Sequence, residues 1–317
     1  MLLRLDAPAK LNLHLAILGR RPDGFHELET VFERIDLCDA LTFEPADDLQ
    51  LTCDRSDLSC GDDNLILRAA RRLQQAAAIR RGARIHLTKR IPIAAGLGGG
   101  SSDAATALLG LDQLWGTNLS RSRLQELGAE VGSDVPFFLS PYIFAIGRGR
   151  GERLEPAVPD GPAPRLWHVL VVPEDRLSTK EVYEGYAASQ ARHSEAATAL
   201  TGAGRLSSMW LHALCNGSLG ELARGLRNDL EPEAIRRCPV IQRIHTELLS
   251  SGCVGVMTSG SGPSVFGLCR DAAHAAHVVQ TFSARAAVPA SAHQTSGRWF
   301  TRAVATFQEG SVGAACV

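Results

Sequence analysis

Pro92 to Thr106 reads PIAAGLGGGSSDAAT, with Gly96, Gly98, Gly99 and Gly100 followed by Ser101 and Ser102 ahead of an alanine-rich run. Glycine reaches positive φ and has no Cβ to hold a ligand away from backbone N–H groups. Where such a run opens a helix, the first-turn N–H groups lack partners and the helix dipole is positive, so the chemistry on offer is anion binding, phosphate above all. A flexible connector would use the same letters, but connectors seldom lie between a strand and a helix or end in two serines. Two common phosphate loops are excluded by spacing. GxxxxGK[ST] needs a lysine that Gly96 to Asp103 lack, and GxGxxG needs glycine where Ser101 stands.

Other residues suit the same chemistry. Lys10 is the only charge in KLNLHLAI and shares a face with Asn12. An amine there can pair with a carboxylate and stabilise charge on a transferring group, or it can snorkel to solvent. Asp134, in GSDVPFF between a helix and an apolar segment, suits accepting a proton from a hydroxyl; a capping or turn aspartate is the other reading. Asn12 offers both donor and acceptor, and His26 follows a turn that can bring it near. Ser101 and Ser102 can give hydroxyls and N–H groups to phosphate or to magnesium, a role compatible with Ser101 as a plain helix cap.

The elements that position these residues follow from periodicity. Leu11, Leu13, Leu15 and Ile17 alternate with Asn12 and His14, which predicts a half-buried strand. A GRRPDG turn at 19–24 leads to a second strand in FHELETVFERIDL, and further strands fall near 41–44 and 49–53. Asp62 or Asp63 caps a helix through NLILRAARRLQQAA, and the strand ARIHLTKRI runs straight into the glycines. Helices follow in SSDAATALLGLDQLW and after Ser120. The glycines of 147–151 and prolines of 156–164 mark a domain boundary. Beyond it come the apolar strand LWHVLVVP, a Ser178/Glu181 capping box opening a helix, and an Ala/Ser/Thr-rich loop or loose helix at 187–204. Helices at about 208–227 and 232–250, strands CVGVMT and SVFGLC around the loop SGSGP, a helix near 272–285 and the strand RWFTRAVATF complete the chain. The pattern is α+β in two domains with mixed or antiparallel sheets.

Composition narrows the partners. With 33 Lys+Arg against 34 Asp+Glu among 317 residues and no long basic run, there is no footprint for nucleic acid or an anionic membrane. The start MLLRLDAPAKLNLHL is too polar for a signal peptide and no 18 consecutive residues are apolar, so the chain reads as cytoplasmic. Eight scattered cysteines, without a CxxC pair or a histidine at zinc-ligand spacing, read as reduced, packed thiols and not as a metal site.

The segment P-x3-GLGGGSSDAAT resembles the second motif of the GHMP kinases, the superfamily of galactokinase, homoserine kinase and mevalonate kinase. The blocks APAKLNLHLAILGRRPDGFHELETVF, EVGSDVPFFL, RNDLEP and MTSGSGPSVFG are similar to those of one branch, the 4-diphosphocytidyl-2-C-methyl-D-erythritol kinases. That resemblance implies a two-domain GHMP kinase-like fold. Residues 1–155 would form a ribosomal-protein-S5-like domain with the ATP loop and catalytic residues, and 156–317 a ferredoxin-like domain completing the substrate cleft. It implies ATP, with Mg2+, as donor and a small cytidine-diphosphate compound as acceptor, phosphorylated on its 2-hydroxyl in the non-mevalonate route to isoprenoid precursors.

By the same resemblance Asp134 is the general base and Lys10 its partner. Pro92, Ile93, Ala94, Ala95, Gly96, Leu97, Gly98, Gly99, Gly100, Ser101 and Ser102 hold ATP, with Asn64 near the adenine or simply a helix cap. Asn12 and His26 contact the cytidine, whose ring Phe25 and Tyr183 would sandwich; Tyr183 can also be read as an ordinary helix-face aromatic. Asp103 caps or orients the loop. SGSGP is either the third glycine-rich motif, lining the cleft, or a tight turn. Two rivals are another GHMP kinase acting on a sugar, homoserine or mevalonate, and a non-catalytic nucleotide- or RNA-binding module. AKLNLHL with PDGFHE weighs against the first, and neutral charge with Lys10 and Asp134 weighs against the second.

Overall fold

The computed structural model describes residues 2–159, 161–194, 206, 208–286 and 299–308. Its first half has strands β1 (Leu3–Arg20), β2 (His26–Ala46), β3 (Leu49–Cys53), β4 (Gly82–Thr88), β5 (Phe144–Gly149) and β6 (Arg153–Pro156), with helices α1 (Leu65–Ala76), α2 (Gly99–Trp115), α3 (Arg121–Val131) and α4 (Val135–Leu139). The second half has β7 (Trp167–Val172), α5 (Thr179–Ser194), α6 (Ser208–Asn216), α7 (Leu219–Gly225), β8 (Arg227–Asn228), α8 (Glu231–Arg237) and α9 (Val240–Ser250). It ends with β9 (Gly255–Thr258), β10 (Val265–Cys269), α10 (Ala272–Ala286) and β11 (Phe300–Ala305).

β1 to β6 and β8 make a seven-stranded mixed sheet, in which β3, β4, β2, β1 and β8 lie side by side and β5 joins β2. The two strands expected at 25–37 and near 41–44 are one strand, β2. Its Ala40–Ala46 stretch pairs with β4, and Leu28–Glu33 pairs with β5. Three charged residues of this strand are satisfied inside the fold. Glu33 meets His168 Nε2 at 2.8 Å and Thr306 Oγ1 at 2.6 Å, Arg34 donates to the Phe137 and Ser140 carbonyls, and Asp36 accepts from Ala305 N–H.

β1 is not half-buried as its alternation implied: Ala7 to Ala16 are all buried. Ala7 packs with Phe32, Phe43 and helices α1 to α4, whereas Leu11 and Leu13 pack with Leu170, Phe266 and Val304 of the second half. A second sheet, ordered β11-β7-β10-β9 and antiparallel throughout, therefore covers the face left free by the helices. Its far side carries α8, α9 and α10 through Ala234, Ile241, Ile244 and Phe282.

The register of β1 slips between Asn12 and His14. That irregularity reverses the alternation, so Asn12 and His14 do not share a face as expected. His14 lies near Trp210, with ring centroids 6.5 Å apart, while Leu15 moves to the side of Val182 and Leu230.

Helix ends also refine the expectation. Asn64, and neither Asp62 nor Asp63, caps α1 by accepting from Ile66 N–H at 2.9 Å. Ser120 caps α3, and Glu181 N–H reaches Ser178 Oγ at 3.4 Å. The two helices expected at 208–227 and 232–250 are four. Gly217 at φ +66° ends α6, and Pro239, which lacks an N–H, separates α8 from α9. Residues 187–194 continue α5; 195–204 and the tail from 309 lie outside the described residues. The seven described cysteines are free, and no described helix is long and apolar enough to cross a membrane.

Gly110 shows how tightly α2 lies on the sheet. A Cβ there would stand 2.5 Å from the ring of Phe43, a fully buried residue. Alanine favours a helix over glycine by about 1 kcal/mol, but overpacking costs about 1–3 kcal/mol, so the clash wins. Gly110→Ala is expected to lower the urea midpoint; an unchanged or raised midpoint would contradict this packing.

Candidate active site

β1 delivers Lys10 and Asn12 to one spot, and the start of α4 delivers Asp134. Lys10 is only 4% exposed, and its Nζ donates to Asn12 Oδ1 at 2.5 Å and lies 3.7 Å from Asp134 Oδ2. Asn12 Nδ2 donates to Thr30 Oγ1 at 2.8 Å, and that hydroxyl donates to His14 O at 2.6 Å. The asparagine is thereby held with its acceptor toward the ammonium. Burial pushes the Lys10 pKa down, and the Asp134 carboxylate pulls it back only in part. Asp134 heads α4 yet its side chain makes no capping bond, and 29% of it remains exposed on the cavity. A carboxylate in that state is free to accept a proton.

The glycine segment lies against this pair. Lys10 N–H donates to Leu97 O at 3.0 Å. Gly98, the cap of α2, has φ +69°, and a Cβ on it would meet Lys10 Cγ at 2.9 Å. Helix α2 thus begins at Gly99, two residues before the expected start, without a side-chain cap; Ser102 N–H to Gly98 O at 2.9 Å is the first bond of its ladder. The amides before it face an opening whose walls include Gly96 to Ser101, the donor set an anion requires. Ser102 is different. It is fully buried behind Ser101, and its Oγ has no hydrogen-bond partner.

The SGSGP segment is the turn between antiparallel β9 and β10, and Gly260 and Ser261 also line the cavity. Ser259 Oγ accepts from Asn12 N–H at 3.3 Å and donates to Gly96 O at 3.2 Å, while Ser264 Oγ donates to Ala95 O. A Cβ on Gly96 would come 2.3 Å from Ser259 O, so this contact requires glycine there. Asn228 of the RNDLEP block donates to Thr258 O and Gly260 O, fixing the turn to β8 and through it to β1.

Sequence reasoning missed the support beneath the loop. Lys89, buried, donates to Asp39 and to Asp103 Oδ2 at 2.7 Å, and Asp39 also accepts from the N–H groups of Arg90 and Ile91. Burial and the Asp39 charge push the Asp103 carboxyl up to about 8 against the pull of Lys89. Burial opposes the Lys89 charge too, but its two carboxylates outweigh it and raise its pKa. Asp103 therefore supports the loop from below through its hydrogen bond from Lys89 and not as a cap.

At the other end, His26 and Tyr183 have ring centroids 5.3 Å apart, and Tyr186 lies 6.3 Å from the same histidine. Burial, then the charge of Arg20, lowers the His26 pKa and favours a neutral ring. Burial and Asp134 raise the Tyr183 hydroxyl. Phe25 is exposed, with the Arg150 guanidinium 5.1 Å from its ring centroid. One cavity of about 1490 Å3 is lined by Lys10, Asn12, Phe25, His26, Asn64, Asp134, Tyr183 and the stretch Pro92–Ser101. Of the residues singled out from sequence, Ser102 alone is not on its wall.

Such a constellation suits phosphoryl transfer to a hydroxyl, and comparison with known proteins agrees. The model of the GHMP kinases N terminal domain matches residues 64–141, and that of the GHMP kinases C terminal matches 210–287. A 4-diphosphocytidyl-2-C-methyl-D-erythritol kinase from Pelotomaculum thermopropionicum is 42% identical over 278 residues, spanning 87% of this chain and 92% of its own length. The chain belongs to the 4-diphosphocytidyl-2-C-methyl-D-erythritol kinases. A member of the family from Synechococcus sp. is 44% identical over 289 residues, covering 87% of this chain and 90% of that one. A crystal structure of 4-(cytidine 5'-diphospho)-2C-methyl-D-erythritol kinase superposes with a TM-score of 0.73 at 34% identity, over 96% of this chain and all of the other. Mevalonate kinase from L. major, TM-score 0.71 at 14% identity over 96% of this chain and 95% of that one, shares the fold.

Because burial disfavours the Lys10 charge, the lysine weakens the fold while it serves the site. Below its folded pKa Lys10 is charged in both states and the penalty is complete; as pH climbs through that value toward the unfolded 10.5, the folded state sheds the proton and the penalty fades. Lys10→Met is expected to abolish turnover yet raise the urea midpoint at neutral pH, an advantage that shrinks in alkali. A variant less stable than wild type at pH 7 would contradict this.

Proposed function

We propose that this kinase transfers the γ-phosphoryl group of ATP to the 2-hydroxyl of 4-diphosphocytidyl-2-C-methyl-D-erythritol, giving the 2-phosphate and ADP in the methylerythritol phosphate route. The observation that carries this reading is the Lys10–Asp134 pair, 3.7 Å apart beside an uncapped glycine helix start, in the same cavity as Phe25, His26 and Tyr183. Asp134 takes the proton of the 2-hydroxyl as the bond to phosphorus forms. Lys10 holds that side chain in orientation and stabilises negative charge on the transferring group.

The amides of Gly98 to Ser101 hold the phosphates, while Asn64, Ser59 and Leu65 are the wall on which the adenine rests. The half-buried Ser101, on the cavity wall, would with phosphate oxygens supply the hard oxygen ligands that Mg2+ prefers. When bound, the ion would supply positive charge against the phosphates of the nucleotide. Ser102, being buried, serves the loop by packing. Phe25 and Tyr183 stack on the cytosine, and neutral His26 can both donate to and accept from it. Asn12 acts through Lys10, since its own amide is already engaged.

The division of labour at 155/156 belongs to this reading. So do a ribosomal-protein-S5-like first half and a ferredoxin-like second half, the latter supported by the β11-β7-β10-β9 order with helices after the first and third strands. The free cysteines support a reducing, cytoplasmic setting.

ADP release separates the rivals. Turnover is expected with the cytidine substrate and not with mevalonate or homoserine; the reverse would overturn the assignment. Asp134→Asn should lower kcat by about 10²- to 10⁴-fold while ATP affinity holds, given what a positioned base contributes. Near-normal kcat would remove Asp134 from that role.

A further inference from the structure

Five arginines surround the substrate end of the cavity, and carboxylates close three of them. Arg21 meets Glu27 at 2.7 Å, Arg148 meets Glu29 at 2.9 Å and Glu155 at 2.7 Å, and Arg153 meets Glu27 at 2.6 Å. None of these three lines the cavity, whereas Arg20 and Arg150 do. Arg20 has no ion pair among the described residues, and Arg150 pairs with Glu152 only at the long distance of 4.0 Å from its Nε. Glu152 is engaged by the Arg150 backbone N–H at 2.6 Å, which holds it in the turn instead of across the guanidinium. That turn, between β5 and β6, has Gly149 at φ +76° and Gly151 at φ +106°, so Arg150 is carried at a fixed tip.

The position of Arg150 suggests what it faces. Its guanidinium is 5.1 Å from the Phe25 ring centroid, and the next residue of its turn, Gly151, lies beside Asp134, since a Cβ there would stand 4.0 Å from Asp134 Oδ1. The turn that carries Arg150 thus borders both the aromatic that would stack on cytosine and the carboxylate that would deprotonate the hydroxyl. In a cytidine diphosphate ester of a polyol, the group between those two ends is the diphosphate. We infer that Arg150, assisted by Arg20 beside His26, is the anion subsite for the substrate's diphosphate. Its planar fork lies near Phe25 while its N–H edges donate to phosphate oxygens, so the side chain fixes the linker. The inference rests on the proposed reaction and adds a binding residue to it.

Calorimetric titration of cytidine, CMP and CDP into wild type, Arg150→Ala and Arg150→Lys tests this. Wild type is expected to prefer CDP over cytidine. Arg150→Ala should lose about 10- to 100-fold in CDP affinity, the size of a charge-assisted contact, with cytidine affinity little changed. Arg150→Lys should fall between, because it keeps the charge without the fork. In steady state the KM for the cytidine substrate should rise with the KM for ATP unmoved. If the wild type phosphorylates the cytidine substrate and Arg150→Ala keeps the wild-type ratio of CDP to cytidine affinity, the subsite is overturned. A wild type that does not phosphorylate that substrate overturns the reaction itself.

Discussion

Lys10 Nζ lies out of water, 3.7 Å from a partly exposed carboxylate, and the close packing around the site keeps it there. Removing an ammonium from water costs several kcal/mol, and a partner at that distance does not recover it, consistent with the lowered Lys10 pKa. The charge must therefore be held by structure that is stable for other reasons. Gly98 leaves room for its stem, Leu97 O takes its backbone N–H, and Asn12, oriented by Thr30, accepts from its ammonium. The glycine segment thus has two duties. It leaves a helix start without a side-chain cap on the cavity wall, and it lets that start touch a buried lysine.

The stability that holds this charge comes from joining the two halves over a common core. Leu11, Val31, Leu170 and Phe266 belong to one cluster, and Glu33 of β2 is bonded to His168 of β7 and to Thr306. Side chains of 1.5–3 kcal/mol each, by the usual value for fully burying a large apolar group, sum to far more than one ion's penalty. The same joining brings Ser259 onto Gly96 and Asn12, so the glycine loop is braced by the opposite half. The site is a property of the interface and not of either sheet alone.

How much could be read beforehand depended on the range of the interaction. The glycine loop was legible because positive φ and an uncapped helix start are local demands that only certain residues meet. The facing of Lys10 and Asn12 was legible from alternation, but the slip after Asn12 was not, since a bulge leaves no mark in hydrophobic pattern. Lys89 and Asp39 were out of reach: they are 50 residues apart, and each alone looks like a surface charge in a strand. The difference between Ser101 and Ser102 was not legible, because consecutive residues of a helix point about 100° apart and only the packed structure shows which of the two turns inward. Glu33 and Asp36 were legible only as charges within a strand, because their partners His168, Thr306 and Ala305 lie 135 or more residues away.

The central claim, that one buried lysine and one aspartate form a coupled charge pair, is most directly tested by NMR titration of a labelled Lys10 side chain in wild type and in Asp134→Asn. A midpoint below the ordinary 10.5 in wild type is predicted, falling further in the variant once the opposing carboxylate is gone. A Lys10 that titrates like an exposed lysine, or whose midpoint does not respond to the loss of Asp134, would contradict the account.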